Sequence, residues 1–469
     1  MDYIDQLIGA AGEHLGTVPR PVSTYRLQFH AGFTFADAAA LSGYLRELGV
    51  THAYASPYLK ARAGSTHGYD VVDHGVLNPE LGGREEYEAW VESLRANGLS
   101  HILDIVPNHM GVATNDNAWW NDVLRHGRAS KYADYFDIHW KVPGRPDLDN
   151  KVLLPILGEP FGEVLEKGAL SLGYEGGRIV LRYFERRLPV NLASLRGFFE
   201  AVAKQMHGVH AETASGTPAE PPEAGAFAVL LREAFPERDG TDETANQEIC
   251  VPREGAAAGR EQAMARELAG LYERSPLVQR AIQETLHSYN GRAGLPRSFD
   301  ALDALLSQQH YRLAYWRAAA EKLNYRRFFD INDLAAIRME NEGAFRASHR
   351  LIFELIAAGK IGGLRVDHPD GLFDPAEYLR QVQVEVAAVH ARRICDCDKP
   401  YAAVKWEEVE GPLRRRLRQR FMGKQAGGGG GVPPFPVVVE KILAPEESLP
   451  ADWQADGTSG YDFLNKISG

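Results

Sequence analysis

Three short apolar runs in this chain each end in a cluster of polar side chains, within Asp104–His109, Gly363–His368 and Val437–Glu440. A buried strand that ends in carboxylates, Arg and His is an unusual way to build a core. It is a common way to build an active site on the C-terminal rim of a parallel β/α barrel, where strand ends converge on substrate. Asp367 and Glu440 would suit glycoside chemistry, in which one carboxyl group acts as nucleophile and the other as proton donor.

The two carboxylates have different sequence neighbours. Glu440 follows three valines, which are typical of a buried strand, and partial desolvation there would raise its pKa and suit a general acid. The alternative is a surface Glu paired with Lys441. Arg365 lies two residues before Asp367 and therefore faces the same side of a strand. It is expected to keep Asp367 ionised, as a nucleophile requires, and the alternative is a structural ion pair.

Polar residues at the third strand are candidates for sugar binding. Asn108 and His109 follow this strand directly, and a histidine there can donate a hydrogen bond to a substrate hydroxyl. A structural role is the alternative for His109. Asp104 lies within the strand, where it would either bind substrate or, equally, be a buried residue that orients Arg365.

A loop after the second strand offers a platform for a sugar ring. In Ser65–Asp70, Tyr69 could present its aromatic face to a pyranose while His67 and Asp70 fix hydroxyl groups, since sugar sites combine apolar faces with a few polar groups. The alternative is a glycine-containing loop with a packed tyrosine. Trp119–Trp120 is a second candidate platform, or else part of a subdomain core.

The elements before residue 110 alternate between strand and helix patterns. Strands separated by helical segments indicate βαβ units and a parallel sheet. The predicted strands are Ser23–Phe29, His52–Ser56 and Ser100–Val106, and the predicted helices are Phe35–Leu48 and Glu85–Ala96. We therefore predict an α/β fold of the TIM (β/α)8-barrel type.

The barrel pattern is interrupted and later resumes. We expect residues 1–109 to hold strands 1–3, 110–200 an inserted subdomain, 201–358 a mostly helical insertion before strand 4, and 359–469 strands 4–6 with an insertion at 402–436. Within these parts lie an irregular region at 212–262, a glycine run at 427–431 and predicted elements at Arg178–Arg182, Ser298–Lys322, Gly343–Ala358, Ile361–Val366, Pro375–Arg393, Val437–Val439 and Gly457–Leu464. Because a barrel needs all eight strands to close, we expect this one to be incomplete at its C-terminus.

Composition excludes several classes of partner. The net charge of −11 argues against nucleic acid or an anionic membrane as partner, because both need a basic face. The sequence has no run of about 18 apolar residues, so it predicts no membrane span. It also has no signal-peptide pattern, so it predicts no export. Three cysteines, Cys250, Cys395 and Cys397, lack a disulfide or zinc pattern and fit a reducing cytoplasm. We expect neither metal nor cofactor, and interpret Arg414–Arg420 as a solvated helix face.

These residues together resemble the α-amylase superfamily of retaining α-glucan enzymes, glycoside hydrolase family 13. Asp104–His109, Gly363–His368 and Glu440 are similar to its first, second and third conserved regions. The resemblance implies that Asp367 is the nucleophile and Glu440 the acid/base. It further implies a substrate-binding set in which Arg365 and His109 bind the −1 sugar and Tyr69 stacks on it, accompanied by His67, Asp70, Asp104, Asn108 and His368.

Further segments are similar to superfamily members that isomerise the reducing-end α-1,4 bond of a maltooligosaccharide to an α,α-1,1 bond. They are Ser23–Gln28, Ser56–Leu59, Gly64–Asp73, Arg326–Leu334, Val439–Leu443 and Gly457–Asn465. The implied partner is a linear α-1,4-glucan. Alternatives are another hydrolase or glucanotransferase of the superfamily, or an inactive glucan-binding fragment. The fragment alternative has two supports: the seventh-strand Asp that the family uses as a third catalytic carboxylate has no counterpart, and Glu440 follows Asp367 by an unusually long 73 residues.

Overall fold

The computed structural model describes residues 3–207, 211–212, 218–219, 221–236, 256–397, 401, 404–422 and 434–468. Cys250, the glycine run 427–431 and parts of the predicted regions 212–262 and 402–436 lie outside the described residues. The chain divides into two compact units, one formed by Met1–Gly111 with Arg327–Gly469 and the other by Val112–Arg326.

The first unit is built on a six-stranded sheet in which each strand pairs with the next one in chain order. All five pairings are parallel, which confirms the predicted barrel-type α/β fold. In chain order the strands are β1 (Thr24–Leu27), β2 (His52–Ala55), β3 (Ser100–Ile105), β4 (Gly363–Val366), β5 (Val437–Val439) and β6 (Gly457–Thr458). The parallel register places Arg365 of β4 opposite Asp104 of β3 and Val438 of β5.

Helices connect these strands, and two antiparallel strand pairs lie beside the sheet. The helices are Tyr3–Gly16, Phe35–Ala40, Ser42–Leu48, Arg84–Ala96, Glu342–Ala357, Pro375–Cys397, Trp406–Met422 and Tyr461–Ser468. The strand pairs are Leu59–Ala61 with Val71–Leu77 and His109–Gly111 with Leu334–Ala336. The single helix predicted for Phe35–Leu48 is wrong, since the chain forms two helices that meet at Leu41. Ser42 and Gly43, which follow this junction, are poor helix formers.

An aromatic core fixes the first helices against the sheet. Tyr87, Trp90 and Leu94 repeat at helical spacing and are buried, as expected for the inner face of an amphipathic helix. The Trp90 ring stacks on Phe35 at a centroid distance of 5.7 Å and packs on His101 of β3 at 4.6 Å. This core holds the first three strands in register beneath their polar ends.

The arginine-rich helix Trp406–Met422 is only in part the solvated face that its composition predicts, since Arg415 and Arg418 are exposed. Leu413 and Leu417 are fully buried, and Arg414 beside them lies against a neighbouring helix. Arg414 donates to both carboxylate oxygens of Glu385 at 2.7 Å. Burial lowers the pKa of Arg414, but the hydrogen bonds and charge of Glu385 outweigh this effect and raise it above its ordinary value. The helix therefore uses Arg414 for packing within the unit and leaves Arg415 and Arg418 exposed.

The second unit combines short strands with helices. Its strands Leu170–Glu175, Arg178–Tyr183 and Arg186–Pro189 form an antiparallel sheet, and Val152–Leu157 pairs in parallel with Tyr311–Tyr315; a further pair is Ala211–Glu212 with Pro218–Ala219. Its helices are Ala118–His126, Phe161–Glu166, Arg196–His207, Pro222–Ala234, Ala256–Arg274, Pro276–Tyr289, Asp300–Ser307 and Ala319–Lys322. The helical prediction for Ser298–Lys322 is therefore only partly correct, because a strand separates two helices there.

The Trp pair predicted as a platform is divided between two environments. Trp120 is buried and packs on Phe136 and Tyr325, whereas Trp119 is half-buried and stacks on Tyr132. Trp120 is thus part of the core of the second unit. None of the helices in the described ranges combines the length and apolar composition needed to cross a membrane.

Candidate active site

Three carboxylates from adjacent strand ends share the guanidinium group of Arg365. Its Nη1 donates to Asp104 Oδ1 and to Asp367 Oδ1, each at 2.7 Å. Its Nη2 lies 3.6 Å from Glu440 Oε2. Since β3, β4 and β5 are parallel neighbours, their carboxyl ends bring these side chains to one edge of the sheet. The predicted catalytic pair therefore converges on a single, buried cation.

Asp104 is the most completely bonded of the three carboxylates. Its side chain has 0% exposure and accepts hydrogen bonds from four donors, which are Arg26 Nη1 at 3.1 Å, Tyr54 Oη at 3.1 Å, Tyr69 Oη at 2.6 Å and Arg365 Nη1 at 2.7 Å. A carboxylate so enclosed has no surface for a sugar hydroxyl. The geometry thus supports the alternative in which Asp104 orients Arg365 over a direct substrate contact.

Burial raises the pKa of Asp367 to about 7, and the charges of Asp104 and Glu440 add to this effect. Arg365 acts in the opposite direction, through its charge and its hydrogen bond. That Arg365 keeps Asp367 ionised stays a prediction, because Arg365 lowers the pKa of Asp367 while burial raises it by more. The physical reason is that one guanidinium serves three carboxylates, so that its charge does not offset the burial of Asp367.

Glu440 is held by the backbone of the neighbouring strand end. Its Oε2 accepts a hydrogen bond from the His368 N–H at 2.9 Å, and its own N–H donates to Val366 O at 2.9 Å. The side chain is 24% exposed, so it is accessible to substrate. The alternative of a surface pair with Lys441 does not describe this arrangement, because Lys441 Nζ binds Asp370 at 2.9 Å and Glu447 at 3.0 Å.

His368 adopts a left-handed backbone conformation with φ of 41°, which is uncommon for a residue with a Cβ. Asn108, at the end of β3, donates its Nδ2 to the Asp367 carbonyl at 3.0 Å and also to the His368 carbonyl. A Cβ on Gly371 would lie 2.6 Å from Asn108 Oδ1. Asn108 is buried, and in this structure it stabilises the turn formed by Asp367 and His368.

The loop predicted to form a sugar platform is tied to the same cluster. Tyr69 is half-buried, and its hydroxyl donates to Asp104 and accepts from Arg26 Nη2 at 2.9 Å. Asp70 is buried and bonds Ser65 Oγ and Arg62 Nε, so it organises the loop. His67 is exposed, and its Nδ1 accepts from the Tyr69 N–H at 3.0 Å.

His109 is buried against the ring of Phe328, with the ring centroids 4.0 Å apart. Burial lowers its pKa to about 4, which makes the ring neutral at physiological pH. Its Nε2 lies 3.1 Å from the Tyr69 carbonyl. A hydrogen on Nε2 is required for that contact, which leaves Nδ1 as an acceptor. Because Nδ1 is itself buried, the predicted donation to a substrate hydroxyl has no support in this geometry and stays a prediction.

Four residues at the site were not assigned a role from the sequence. Arg26 and Tyr54 sit opposite each other in β1 and β2, with the guanidinium carbon 4.5 Å from the ring centroid. The polar groups of Arg26 and Tyr54, in otherwise buried strands, could have identified both residues as candidates for the site. Phe328 and Phe329 reach the site from a loop before Leu334–Ala336, and no local pattern distinguishes such phenylalanines from core residues. Within the described ranges, no group of three or more His, Cys, Asp or Glu residues could hold a metal ion.

Comparisons with known proteins agree with this fold. The model of the α-amylase catalytic domain matches residues 41–163. A Mycobacterium tuberculosis protein provisionally named maltooligosyl trehalose synthase is 30% identical over 96% of this chain and 38% of its own length. An intracellular maltogenic amylase of Bacillus subtilis is 38% identical over 20% of this chain and 16% of its own length. The chain is thus similar to the α-amylase catalytic domain over residues 41–163 and, over nearly its whole length, to a longer relative.

Solved structures extend the likeness to nearly the whole chain. The structure of maltooligosyltrehalose synthase from Arthrobacter ramosus is 30% identical, with a TM-score of 0.58, and the match covers 95% of this chain and 38% of that one. A hypothetical maltooligosyl trehalose synthase from Sulfolobus tokodaii is 28% identical, with a TM-score of 0.55, over 95% of this chain and 39% of that one. The chain thus spans well under half the length of these relatives.

Proposed function

We propose that this chain carries the catalytic pair of an intramolecular transglucosylase. It would convert the reducing-end α-1,4 bond of a maltooligosaccharide to an α,α-1,1 bond, forming maltooligosyl trehalose in the cytoplasm. The observation that carries the proposal is the shared contact of Arg365 with Asp367 and Glu440 at adjacent strand ends. The similarity to maltooligosyl trehalose synthases over 96% of the chain supports the particular reaction.

The proposed reaction proceeds by two displacements at one anomeric carbon. Glu440 protonates the leaving 4-oxygen while the ionised Asp367 attacks the anomeric carbon, which gives a covalent glycosyl-enzyme and free glucose. The glucose then turns so that its anomeric hydroxyl faces the same carbon. Glu440 removes the proton from that hydroxyl, the new C–O bond forms, and Asp367 leaves. Two inversions give net retention.

The site favours separate roles for the two carboxyl groups. The His368 N–H fixes Glu440 at the edge of the site, where its 24% exposed side chain can reach a leaving oxygen. Asp367 is buried and accepts a hydrogen bond from Nη1 of Arg365. Positive charge that develops at the anomeric carbon would stabilise the ionised form of Asp367. The remaining contacts of Arg365 and Asn108 hold the nucleophile in place.

A second candidate is glucan binding without turnover. Among the described residues the sheet has six parallel strands, and none of these strands supplies the seventh-strand carboxylate that the family resemblance implies. Hydrolysis or glucan transfer is a further alternative to isomerisation, because both reactions would use the same chemistry. The partial match to a maltogenic amylase supports this alternative.

Incubation of the chain with maltopentaose separates these candidates. A non-reducing pentasaccharide product supports the isomerisation, whereas only glucose and shorter maltodextrins would identify a hydrolase. Glu440→Gln should remove turnover and leave maltopentaose binding within about threefold, because the amide keeps the shape and the acceptor oxygen but cannot donate the catalytic proton. Glu446→Gln, at an exposed position six residues on, is the matched control. Binding without turnover in the unsubstituted chain would favour the second candidate.

A further inference from the structure

Two consecutive phenylalanines lie beside the catalytic carboxylates in the first unit. Phe328 packs between His109 and His368, with ring centroids at 4.0 Å and 5.3 Å. Phe329 packs on Phe328 at 4.5 Å and on His368 at 5.0 Å. The two rings therefore reach the turn that carries Asp367, although neither belongs to a strand of the sheet.

The loop that carries these rings is fixed by its own hydrogen bonds. The Phe328 N–H donates to Leu334 O, the Ile331 N–H donates to Phe328 O, and the Leu334 N–H donates to Ile331 O, at 3.0–3.1 Å. Arg327 binds Asn332 and Asp330 across the loop. Leu334–Ala336 then pairs with His109–Gly111, the segment directly after β3. The loop is thus anchored to the strand end that forms the site.

Phe329 combines two features that are costly for stability. Its backbone has φ of 49°, in the left-handed region that residues with a Cβ seldom adopt. Its side chain is 67% exposed, so a large apolar surface is left in water. Strained conformations that persist in a fold concentrate at ligand sites. A flat apolar ring beside catalytic carboxylates is a surface suited to a sugar ring.

Phe329 is linked to the proton donor through His368. It packs on His368, whose N–H holds Glu440. The group next to the proton donor is the leaving group, which in the proposed reaction is glucose. We propose that Phe329 is the platform that retains this glucose after bond cleavage and so determines the ratio of isomerisation to hydrolysis. This inference rests on the proposed function and adds to it a residue that controls specificity.

An aromatic face is suited to this task because the retained glucose has to turn. Hydrogen bonds to fixed donors are directional and would resist rotation of the sugar between the two displacements. Contact with a ring face is apolar and much less directional, so it can hold a pyranose while its hydroxyls exchange positions. Covering the reaction centre also keeps water from the glycosyl-enzyme.

The test compares product ratios in variants of the full chain. With maltopentaose as substrate, Phe329→Ala should raise the ratio of released glucose to non-reducing product roughly three- to tenfold, the range expected for loss of one aromatic contact. Phe329→Trp should restore the ratio because it restores a flat ring. Phe463→Ala is the matched control, since Phe463 is 68% exposed in the helix Tyr461–Ser468 of the same unit.

The outcomes separate this inference from the proposed function. An unchanged product ratio in Phe329→Ala, with non-reducing product formed by the unsubstituted chain, overturns the platform and leaves the proposed function intact. If the unsubstituted chain forms no non-reducing product, the proposed function fails. The platform is then judged by glucose binding to Glu440→Gln, which should weaken about three- to tenfold when Phe329→Ala is added, and equal affinities would overturn it.

Discussion

Replacing Asp367 by asparagine should alter how the stability of the protein depends on pH. The pKa of Asp367 is raised from 3.8 to about 7, so between these values the folded state binds a proton that the unfolded state has released. The unfolded state binds fewer protons in this window, and stability therefore falls as pH rises. From about pH 5 to about pH 8.5 the ionisation of Asp367 should cost the native protein about 3 kcal/mol.

The Asp367→Asn protein has no proton to release at this position, so it should not show this decrease in the free energy of unfolding as pH rises. The experiment is denaturant-induced unfolding of both proteins across that range, with the difference between their free energies of unfolding plotted against pH. Subtraction removes the contribution of groups that titrate alike in both proteins. The ion pair between Asp367 and Arg365 forms only when Asp367 is ionised, and its effect is already contained in the pKa of about 7. We expect the difference to shift by about 3 kcal/mol in favour of Asp367→Asn toward high pH. A flat difference would show that Asp367 is not the group with the raised pKa.

Three further predictions concern the same site. If Asp367 is the nucleophile, kcat/KM should rise with pH through an apparent pKa near 7, because only the ionised form attacks; a rate independent of pH from about 5.5 to 8.5 would contradict this. Asp104→Asn should move that apparent pKa downward, since the Asp104 charge raises the pKa of Asp367, and an upward or absent shift in the pH–rate profile would refute the coupling. Gly68→Ala should destabilise the protein by at least about 1 kcal/mol more than Gly64→Ala in thermal unfolding. Both glycines have positive φ, but only a Cβ at Gly68 meets a backbone atom, Pro57 O at 2.3 Å, and equal losses would show that the loop gives way.

The strand ends could be predicted from the sequence because their signal is local. Apolar runs that end in Asp104–His109, Gly363–His368 and Glu440 show both the strand and its polar terminus within a few residues. Parallel pairing then requires these termini to meet at one edge. The inner helix Pro375–Cys397 was predictable for the same reason, although it extends four residues beyond the predicted Arg393.

Features that depend on contacts distant in sequence were not predictable in this way. The strand Tyr311–Tyr315 forms because it pairs with Val152–Leu157, about 160 residues earlier, and its own pattern favours helix. Arg414 is half-buried because Glu385 of another helix accepts its guanidinium. Phe329 gains its position from a loop that is anchored to His109–Gly111. In each case the partner, and not the local pattern, decides the structure.

The distribution of donors explains why the sequence could not assign the charge states of the site. Asp104 and Asp367 both contact Nη1 of Arg365 at 2.7 Å, so their relation to the arginine is alike. They differ in what else they touch, because Arg26, Tyr54 and Tyr69 all donate to Asp104. These donors come from β1, β2 and the loop after β2, and they leave Arg365 as the donor that opposes, without cancelling, the effect of burial on the pKa of Asp367. A carboxylate whose pKa is raised is more basic, and therefore more nucleophilic, in its ionised form. If Asp367 is the nucleophile, the three donors on Asp104 contribute to its reactivity, because they bind the neighbouring carboxylate and not Asp367.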